Sequence, residues 1–423
     1  MSSSPAPSGV PPEASAHSPS RGAASEQVPT TSSHLAWLEE ELPGWVSEGL
    51  VTADSAVVLR GRYVAHRRFT LIRLALTLGA AFVGVGLIWL VAANLDQLSP
   101  MVRFVLFVLV WLAFLIGGEL LADRRAAHGG VATPMVGTIR LLAAAAYGAV
   151  VFQAAQSLQV PAYAPVLVGV WALGALVHGY AVRALAPVTL GVVLAAVWLA
   201  WQSMSGHTNG WVLALALLSG GAVAVVVGIV HEHRWWPAAA YPWREIGAAL
   251  VLLGMFVAAI PGTNEHLGAA WLTWVALIVA VVLIGPALVL SRGLARLEVS
   301  LAALGLALGG GIAAWSSTDA YRPGSDVALT GMGLARPLVA VLAYLVVAIG
   351  YAVLGTLRDS SRIVVAALAA LVAFVTFQAF AVFAPILSGA ALFLLVGVVL
   401  IGSGILADRS RRRLARGATE VLS

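Results

Sequence analysis

The short run His231, Glu232 and His233 brings together side chains of the types that bind metal ions. Imidazole nitrogens and carboxylate oxygens are common ligands of zinc. On a helix, positions i and i+2 do not face each other, so both imidazoles could reach one ion only from an extended backbone. Since no third ligand stands nearby, we interpret the run as a polar cluster at a membrane interface. We expect no metal site and no cofactor.

Side chains suited to covalent or acid–base catalysis are scarce and dispersed. The chain has no Cys, which excludes catalytic thiols, thiolate metal sites and disulfides. No Ser–His–Asp group and no pair of carboxylates can be assembled on one helix face. Gly pairs and triplets occur without the Lys of a phosphate-binding loop, so we attribute them to close helix packing; they are Gly117–Gly118, Gly309–Gly311 and Gly402 with Gly404. We therefore expect that the protein is not an enzyme.

Neutral polar side chains inside apolar stretches are the best candidates for a binding pocket. In hydrocarbon each needs a partner, so we expect all of them to face the interior of a helix bundle. They are Gln153, Gln156, Gln202, Thr376 and Gln378. Interhelical hydrogen bonds are one interpretation, and a pocket for a polar substrate or a lipid head group is the other. Asn94 and Asp96 end the first apolar run, where we expect them to cap an external turn rather than bind a ligand.

Four ionisable residues stand close to the ends of apolar runs: Glu119, Arg140, His178 and Glu298. A charged group deep in a bilayer is costly and often functional, but near a helix end it can reach the head groups or a neighbouring charge. We expect these four either to reach the head groups or to pair with Arg124, Arg125, Arg183 or Arg296. A role in a cytoplasmic vestibule is the alternative. Proton-coupled transport is disfavoured, because no carboxylate is expected near the middle of the membrane.

The composition indicates which elements must position these residues. The chain has 423 residues, of which 60% are hydrophobic and only 10% are charged, with a mean hydropathy of +0.94. A soluble chain carries roughly 25% charged residues. The net charge of +5 does not indicate nucleic-acid binding, because the arginines adjoin apolar runs and form no patch with exposed aromatic residues. We therefore predict an all-α fold: a polytopic transmembrane helical bundle in the lipid bilayer.

The apolar runs predict about twelve membrane-spanning helices, since each crossing needs roughly 20 apolar residues. Three long runs without Asp, Glu or Arg must each contain two helices: 141–182, 184–230 and 363–407. We expect turns within them at Pro161 and Pro165, at 203–210 and at Ala384 and Pro385. Four shorter charge-free runs each fit one helix, namely 246–264, 266–291, 299–318 and 337–357. Two further spans, near 71–93 and 101–122, bring the number to twelve.

The arginines predict the orientation of these helices. Alternate loops are rich in Arg, as are the N-terminal flank at 60–73 and the C-terminal tail at 409–416; the loop residues are Arg124, Arg125, Arg183, Arg234, Arg244, Arg292, Arg296, Arg358 and Arg362. The opposite loops hold only Arg103, Arg322 and Arg336. Because cytoplasmic loops carry an excess of positive residues, we predict a multi-pass protein of the cytoplasmic (inner) membrane with both termini in the cytoplasm.

The domain organisation follows from these patterns. Residues 1–33, rich in Ser, Pro and Ala, are interpreted as a disordered cytoplasmic tail. Residues 34–68 show apolar residues at helical spacing opposite Glu39, Glu40, Glu41 and Glu48, then a break at Gly49 and a helix start at Thr52. We predict a cytoplasmic helical hairpin there, able to bind a protein partner. The bundle then occupies 69–407, and a basic cytoplasmic tail occupies 408–423.

Four short patterns point to a known family. They are Trp45 to Leu50 followed by Tyr63, the turn Ala93-Asn94-Leu95-Asp96, the pair Gln153 and Gln156, and Ser388, Gly389 and Phe393 before a basic tail. They resemble the bacterial membrane family called domain of unknown function 2157, over about 35–160 and again near 385–416. The turn departs from the family at a Trp, and the Tyr that commonly follows the Gln is absent. The resemblance implies a cytoplasmic N-terminal domain on a helical membrane bundle and no catalytic residues.

Three functions remain open. The first is a non-enzymatic membrane scaffold or sensor with a cytoplasmic partner, and the alternative is a permease for an uncharged or lipid-like solute that uses the buried Gln residues. A cavity reaching Gln153, Gln156 or Gln378 would favour the permease. The third is a membrane transferase for lipid-linked substrates, which would need acidic or His residues gathered at one face. The external loops offer only dispersed ones: Asp96, His207, Glu265, His266, Asp319 and Asp326.

Overall fold

The computed structural model describes residues 28–65, 99–315 and 331–378, together with isolated positions in 78–86 and 394–402. Short gaps fall at 31, 129–132, 160, 162, 207–208, 235 and 261–267. The chain divides into two units, Met1–Ala75 and Leu76–Ser423.

The described residues form twelve α-helices, so the prediction of an all-α fold is confirmed. In chain order they are α1 (Ser32–Ser47), α2 (Ala53–Arg62), α3 (Pro100–His128), α4 (Thr133–Ser157), α5 (Pro165–Ala181), α6 (Leu185–Met204), α7 (Gly210–Arg234), α8 (Ala240–Ala259), α9 (Trp271–Leu290), α10 (Gly293–Ala314), α11 (Gly331–Leu357) and α12 (Ser361–Gln378). A 3-10 turn, Pro237–Ala239, precedes α8.

Nine of these helices, α3, α4 and α6–α12, are long and apolar enough to cross a membrane, and α5 is a shorter apolar helix. These ten correspond to ten of the predicted spans. The other two, at 71–93 and after Pro385, lie outside the described residues apart from isolated positions.

The first unit contains the predicted helical hairpin. Helix α1 ends at Gly49, whose φ of 74° lies in the left-handed region that favours glycine. Thr52 then caps α2, its side chain accepting a hydrogen bond from the Ser55 amide at 3.3 Å. Two three-residue strands flank the helices and pair in parallel, β1 (Val28–Thr30) and β2 (Tyr63–Ala65). β1 falls inside the stretch that we interpreted as a tail, most of which lies outside the described residues.

Helix boundaries in the bundle agree with the predicted turns, but they do not always agree with the span limits that we placed at charged residues. α4 ends at Ser157 and α5 begins at Pro165, as expected, and the break between α6 and α7 also falls at the predicted place. By contrast, α8 and α10 begin about six residues before the predicted spans 246–264 and 299–318. Glu245 and Glu298, the charges directly before these predicted spans, lie inside the helices, where Glu245 pairs with Arg362 and Glu298 pairs with Arg244.

Helix α7 is central to the bundle, and α8 packs along it at very short distance. A Cβ atom on Gly221 would lie 2.8 Å from the carbonyl oxygen of Gly247, and one on Gly247 would lie 2.9 Å from that of Gly221. The two backbones therefore touch where neither residue carries a side chain. The core continues from this pair into α10, α11 and α12, where the rings of Tyr344 and Phe374 stack with centroids 3.7 Å apart.

Two helical hairpins of the bundle turn in the same way. After α5, Arg183 is left-handed, with φ of 48°, and the amide of Ala184 donates to the carbonyl of Gly179 at 2.9 Å. After α11, Asp359 is left-handed, with φ of 51°, and the amide of Ser360 donates to the carbonyl of Gly355 at 2.8 Å. Both turns close the last helical turn with the same hydrogen bond from the sixth residue to the first.

The helices alternate in direction, so the tight connections α5–α6, α7–α8, α9–α10 and α11–α12 lie at one end of the bundle. We call it the arginine-rich end, because it holds Arg183, Arg244, Arg292, Arg296, Arg358 and Arg362. The other end is called the opposite end.

Candidate functional site

Four charged side chains from four parts of the chain meet at the arginine-rich end. Glu232 lies near the end of α7, Arg244 in the second turn of α8, Glu298 in the second turn of α10, and Arg358 directly after α11. Arg244 pairs with Glu232 at 2.6 Å and with Glu298 at 2.7 Å, and Arg358 pairs with the same two carboxylates at the same distances. The four residues, here called the charge cluster, form a closed square of alternating sign.

The charge cluster is largely buried. The side chain of Glu298 is 1% exposed and that of Arg244 is 7% exposed, whereas Glu232 at 32% reaches the surface. Moving a charge from water into the protein costs several kcal/mol of free energy. An opposite charge compensates for this cost only when the geometry of the pair is good. Each carboxylate here contacts two guanidinium groups. The arrangement is therefore suited to locking helix ends together and poorly suited to acid–base catalysis, which needs a carboxylate free to exchange a proton.

An aromatic hydrogen-bonded group adjoins the charge cluster. The indole Nε1 of Trp243 donates to the Tyr180 hydroxyl at 2.6 Å, and this hydroxyl lies 2.9 Å from Nε2 of His231. Nδ1 of His231 lies 2.7 Å from the carbonyl oxygen of Val227. A carbonyl only accepts, so Nδ1 carries the proton and Nε2 accepts from Tyr180. This group ties α5 to α7 and α8.

The structure gives no support to a metal site at His231 and His233. Each Nδ1 contacts a carbonyl oxygen one turn back on its own helix, Val227 for His231 and Ile229 for His233. No group of three potential metal ligands occurs within the described residues.

A second ion pair lies between α3 and α4. Arg140 donates to both carboxylate oxygens of Glu119, from Nε at 2.8 Å and from Nη2 at 2.5 Å. We expected Glu119 and Glu298 to reach the head groups or to pair with the four arginines named above. In the structure Glu119 pairs with Arg140, and Glu298 pairs with Arg244 and Arg358. Arg296 instead donates to the carbonyl of Leu288 at 3.1 Å. The observed partners lie on other helices, which the spacing along one helix does not reveal.

At the opposite end, Arg336 holds the ends of two helices. Its side chain is buried, and it donates to Ala258 O at 3.0 Å and to Ile312 O at 3.4 Å, near the C-termini of α8 and α10. The last carbonyls of a helix lack the usual partner four residues on, and the helix dipoles favour a cation there. The Ile312 carbonyl also accepts from the backbone amide of Trp315 at 3.3 Å, so Arg336 adds a second bond to it. We had placed Arg336 in a loop; it lies inside α11.

The residues of the predicted polar pocket do not gather at one place. Gln153 and Gln378 are buried, Gln202 is half-buried, and Gln156 and Thr376 are exposed. Gln378 donates to the carbonyl of Ala259 at 3.4 Å, beside the residues that Arg336 holds. We expected both Gln156 and Thr376 to face the interior of the bundle, and neither does. Gln156 lies in the last turn of α4, where an amide can reach the membrane interface. Thr376 needs no partner on another helix, because a Thr hydroxyl can bond to a carbonyl of its own helix. Asn94 and Asp96 lie outside the described residues.

Three cavities are lined mainly by apolar side chains. The largest, about 830 Å³, is an open groove between α6, α7 and α8 that includes Trp201 and Leu253. Another, about 290 Å³, lies between α6 and α9 and includes Trp198 and Trp243. The third, about 420 Å³, lies between α3, α4 and α5 and includes His178. None of these three contains Gln153, Gln156 or Gln378 in its walls.

Residues 43–188 match the model of a family described as "Predicted membrane protein (DUF2157)". The matched stretch covers about a third of the chain, from the later part of α1 to the start of α6. The predicted resemblance is therefore confirmed there, while the second stretch, near 385–416, lies outside the match. No curated protein and no solved structure matches the chain. The chain is a multi-pass membrane protein, and its membrane helices place it in a lipid bilayer.

Proposed function

We propose, from the match of residues 43–188 to this membrane family, that the chain is a non-enzymatic membrane scaffold or sensor whose hairpin of α1 and α2 binds a partner protein. In this proposal it lies in the cytoplasmic (inner) membrane, with both termini and the arginine-rich end in the cytoplasm. The positions of the arginines support this orientation.

The observation that carries the proposal is the exposed apolar surface of the hairpin. Within its described part, only Leu42 is buried. Leu50, Val57 and Val58 are 70%, 72% and 68% exposed, and Trp37 is 52% exposed while its ring packs edge-on against Trp45. So many large apolar side chains exposed on so small a unit support an interaction site there.

Charge on the hairpin favours a basic protein as the occupant. Glu39, Glu40, Glu41, Glu48 and Asp54 are all exposed. Arg60 pairs with Glu39, and the other four carboxylates form no ion pair with any residue that the structure describes. An anionic membrane surface would repel this group, whereas a partner helix with one apolar and one basic face would be attracted to it.

The bundle supports a holding role better than transport. Its core between α7 and α12 is filled by interlocking side chains, and the charge cluster is fully paired. The permease alternative depends on a cavity at the buried glutamines, and the three cavities described above lie elsewhere.

The proposal can be tested by photo-crosslinking in cells. A photoreactive residue replacing Val58 should capture a protein, and reversing two charges, Glu40→Arg with Glu41→Arg, should abolish the adduct. A photoreactive residue replacing Leu173, on the exposed face of α5, is the matched control and should not capture this protein. Capture of phospholipid alone at position 58, unchanged by the charge reversal, would overturn the proposal.

A further inference from the structure

The cavity of about 420 Å³ between α3, α4 and α5 has walls of an unusual kind. Trp111 and Tyr147 form an aromatic wall, with ring centroids 5.6 Å apart and ring planes at 50°. Tyr147 packs directly against Gly174, where a Cβ atom would lie only 2.0 Å from the ring. The lack of a side chain at Gly174 therefore lets the Tyr147 ring reach across to α5. The volume lies within the range of roughly 300–1,000 Å³ typical of small-molecule sites.

One polar ring closes the end of this apolar cavity. His178 lies in its wall, and its Nε2 atom is buried with no hydrogen-bond partner among the described residues. A buried polar atom without a partner costs free energy, which a ligand can recover by supplying the missing bond. Because an imidazole nitrogen either donates or accepts, the partner can be a carbonyl oxygen or a hydroxyl group.

The charges beside the cavity favour an uncharged head group. Arg140 is a cation on α4, and its Nε and Nη2 atoms both donate to the Glu119 carboxylate. A phosphate that competed for this guanidinium would lie beside the carboxylate and be repelled by it. An uncharged head group meets no such repulsion.

The cavity opens sideways to the bilayer. Its rim on α5 includes Leu173 and Val177, which are 63% and 61% exposed on the face that a membrane would cover. His178 is one helical turn from Gly174, a rise of roughly 6 Å along α5. A planar head group could thus lie against the Tyr147 ring with an oxygen at His178, while an apolar tail leaves through the rim.

We infer that this cavity binds an isoprenoid quinone, in its quinone or quinol form. The aromatic wall takes the flat ring, His178 bonds one ring oxygen, and the opening toward the bilayer takes the isoprenoid tail. Every wall residue lies within the stretch that matches the family. The inference is independent of any partner of the hairpin.

The test uses the full chain in nanodiscs of quinone-free phospholipid, titrated with menaquinone-4. Quinones quench nearby Trp fluorescence, so binding should appear as a saturable loss of emission. Trp111→Phe should reduce the saturable part, and the remainder comes from Trp171, whose Nε1 donates to the wall residue Ala144 at 2.9 Å. Trp271→Phe is the matched control: this residue is 74% exposed on α9, and its loss should leave the saturable part intact.

Variants of His178 test the hydrogen bond. His178→Leu should weaken the affinity for menaquinone-4 about tenfold, the usual effect of one hydrogen bond in apolar surroundings. His178→Gln, which keeps a polar group in this position, should retain most of the affinity. The size-exclusion profile and thermal unfolding establish whether each variant is folded. If His178→Leu does not fold, the quenching of Trp111→Phe tests whether the quinone binds in this cavity.

Two outcomes would overturn the inference. In the first, quenching rises in proportion to quinone content and is equal in all variants, which means simple partition into the bilayer. In the second, native mass spectrometry finds a tightly held phospholipid that is lost in His178→Leu and is not displaced by menaquinone-4.

Discussion

Arg244 and Glu298, 54 residues apart in the chain, form a buried ion pair in which Nε of Arg244 lies 2.7 Å from Oε1 of Glu298 and 2.9 Å from Oε2. Through Glu232 and Arg358 the pair joins α7, α8, α10 and the end of α11. The helices of the core are thus held at one end by charges and along their length by apolar packing.

Loss of the Arg244 guanidinium should destabilise the bundle strongly. Arg244→Met leaves the buried Glu298 and the half-buried Glu232 with one cation between them instead of two, which should cost about 3–5 kcal/mol in free energy of unfolding. The measurement is reversible unfolding of the purified protein in detergent. Arg362→Met is the control: Arg362 is 77% exposed, and losing its pair with Glu245 should cost no more than about 1 kcal/mol. Equal losses in the two variants would show that the charge cluster does not lock the bundle.

A methyl group at the contact of α7 and α8 should separate the two helices. Gly221→Ala would place Cβ 2.8 Å from the backbone oxygen of Gly247, which cannot move aside as a flexible side chain would. We expect a lower melting temperature. Gly117→Ala on α3 is the control, since nothing lies within 4 Å of a Cβ there, and Ala favours the helix by roughly 0.5–1 kcal/mol. The contact would have no structural importance if the two variants melted alike.

Arg336 should be replaceable by Lys only in part. A single ammonium cannot reproduce the planar fork that donates to Ala258 and Ile312 together. Arg336→Lys should lose one of the two bonds, about 1.5–3 kcal/mol, and Arg336→Leu should lose both and more. Thermal unfolding should therefore rank the wild type above the Lys variant and the Lys variant above the Leu variant. If the Leu variant had the same melting temperature as the wild type, the hydrogen bonds from Arg336 to α8 and α10 would not stabilise the bundle.

The absence of Cys allows a clean test of orientation. Ser205 and Ser361 are exposed at the opposite end and the arginine-rich end respectively. With a membrane-impermeant maleimide on intact cells, Ser205→Cys should be labelled, and Ser361→Cys should be labelled only after the inner membrane is permeabilised. The reverse pattern would place the arginine-rich end outside.

Local features of the fold were predictable from the sequence because their causes are local. The break at Gly49 and the cap at Thr52 depend on residues within one turn, and both are observed. Spans were predictable because a membrane crossing needs a long apolar run. The first residues of α8 and α10 were not predictable, because a charged residue can lie inside a helix when a helix distant in the sequence supplies its partner.

The charge cluster itself was missed for the same reason. The sequence relates Glu232 only to its neighbours His231 and His233, and it relates Glu298 to the head groups or to arginines other than Arg244 and Arg358. One signal was available: three carboxylates, Glu232, Glu245 and Glu298, stand close to apolar runs at the end where arginines gather. The cavity at His178 was beyond prediction, because its walls come from three helices whose relative rotation no single helix determines.

The touching glycines of α7 and α8 also bear on the order of assembly. These helices are consecutive in the chain, so their contact closes a short loop and loses little chain entropy, which favours early formation. During synthesis they emerge before α10, α11 and α12. The α7–α8 pair can therefore be complete before the later helices arrive and serve as the nucleus against which each of them folds.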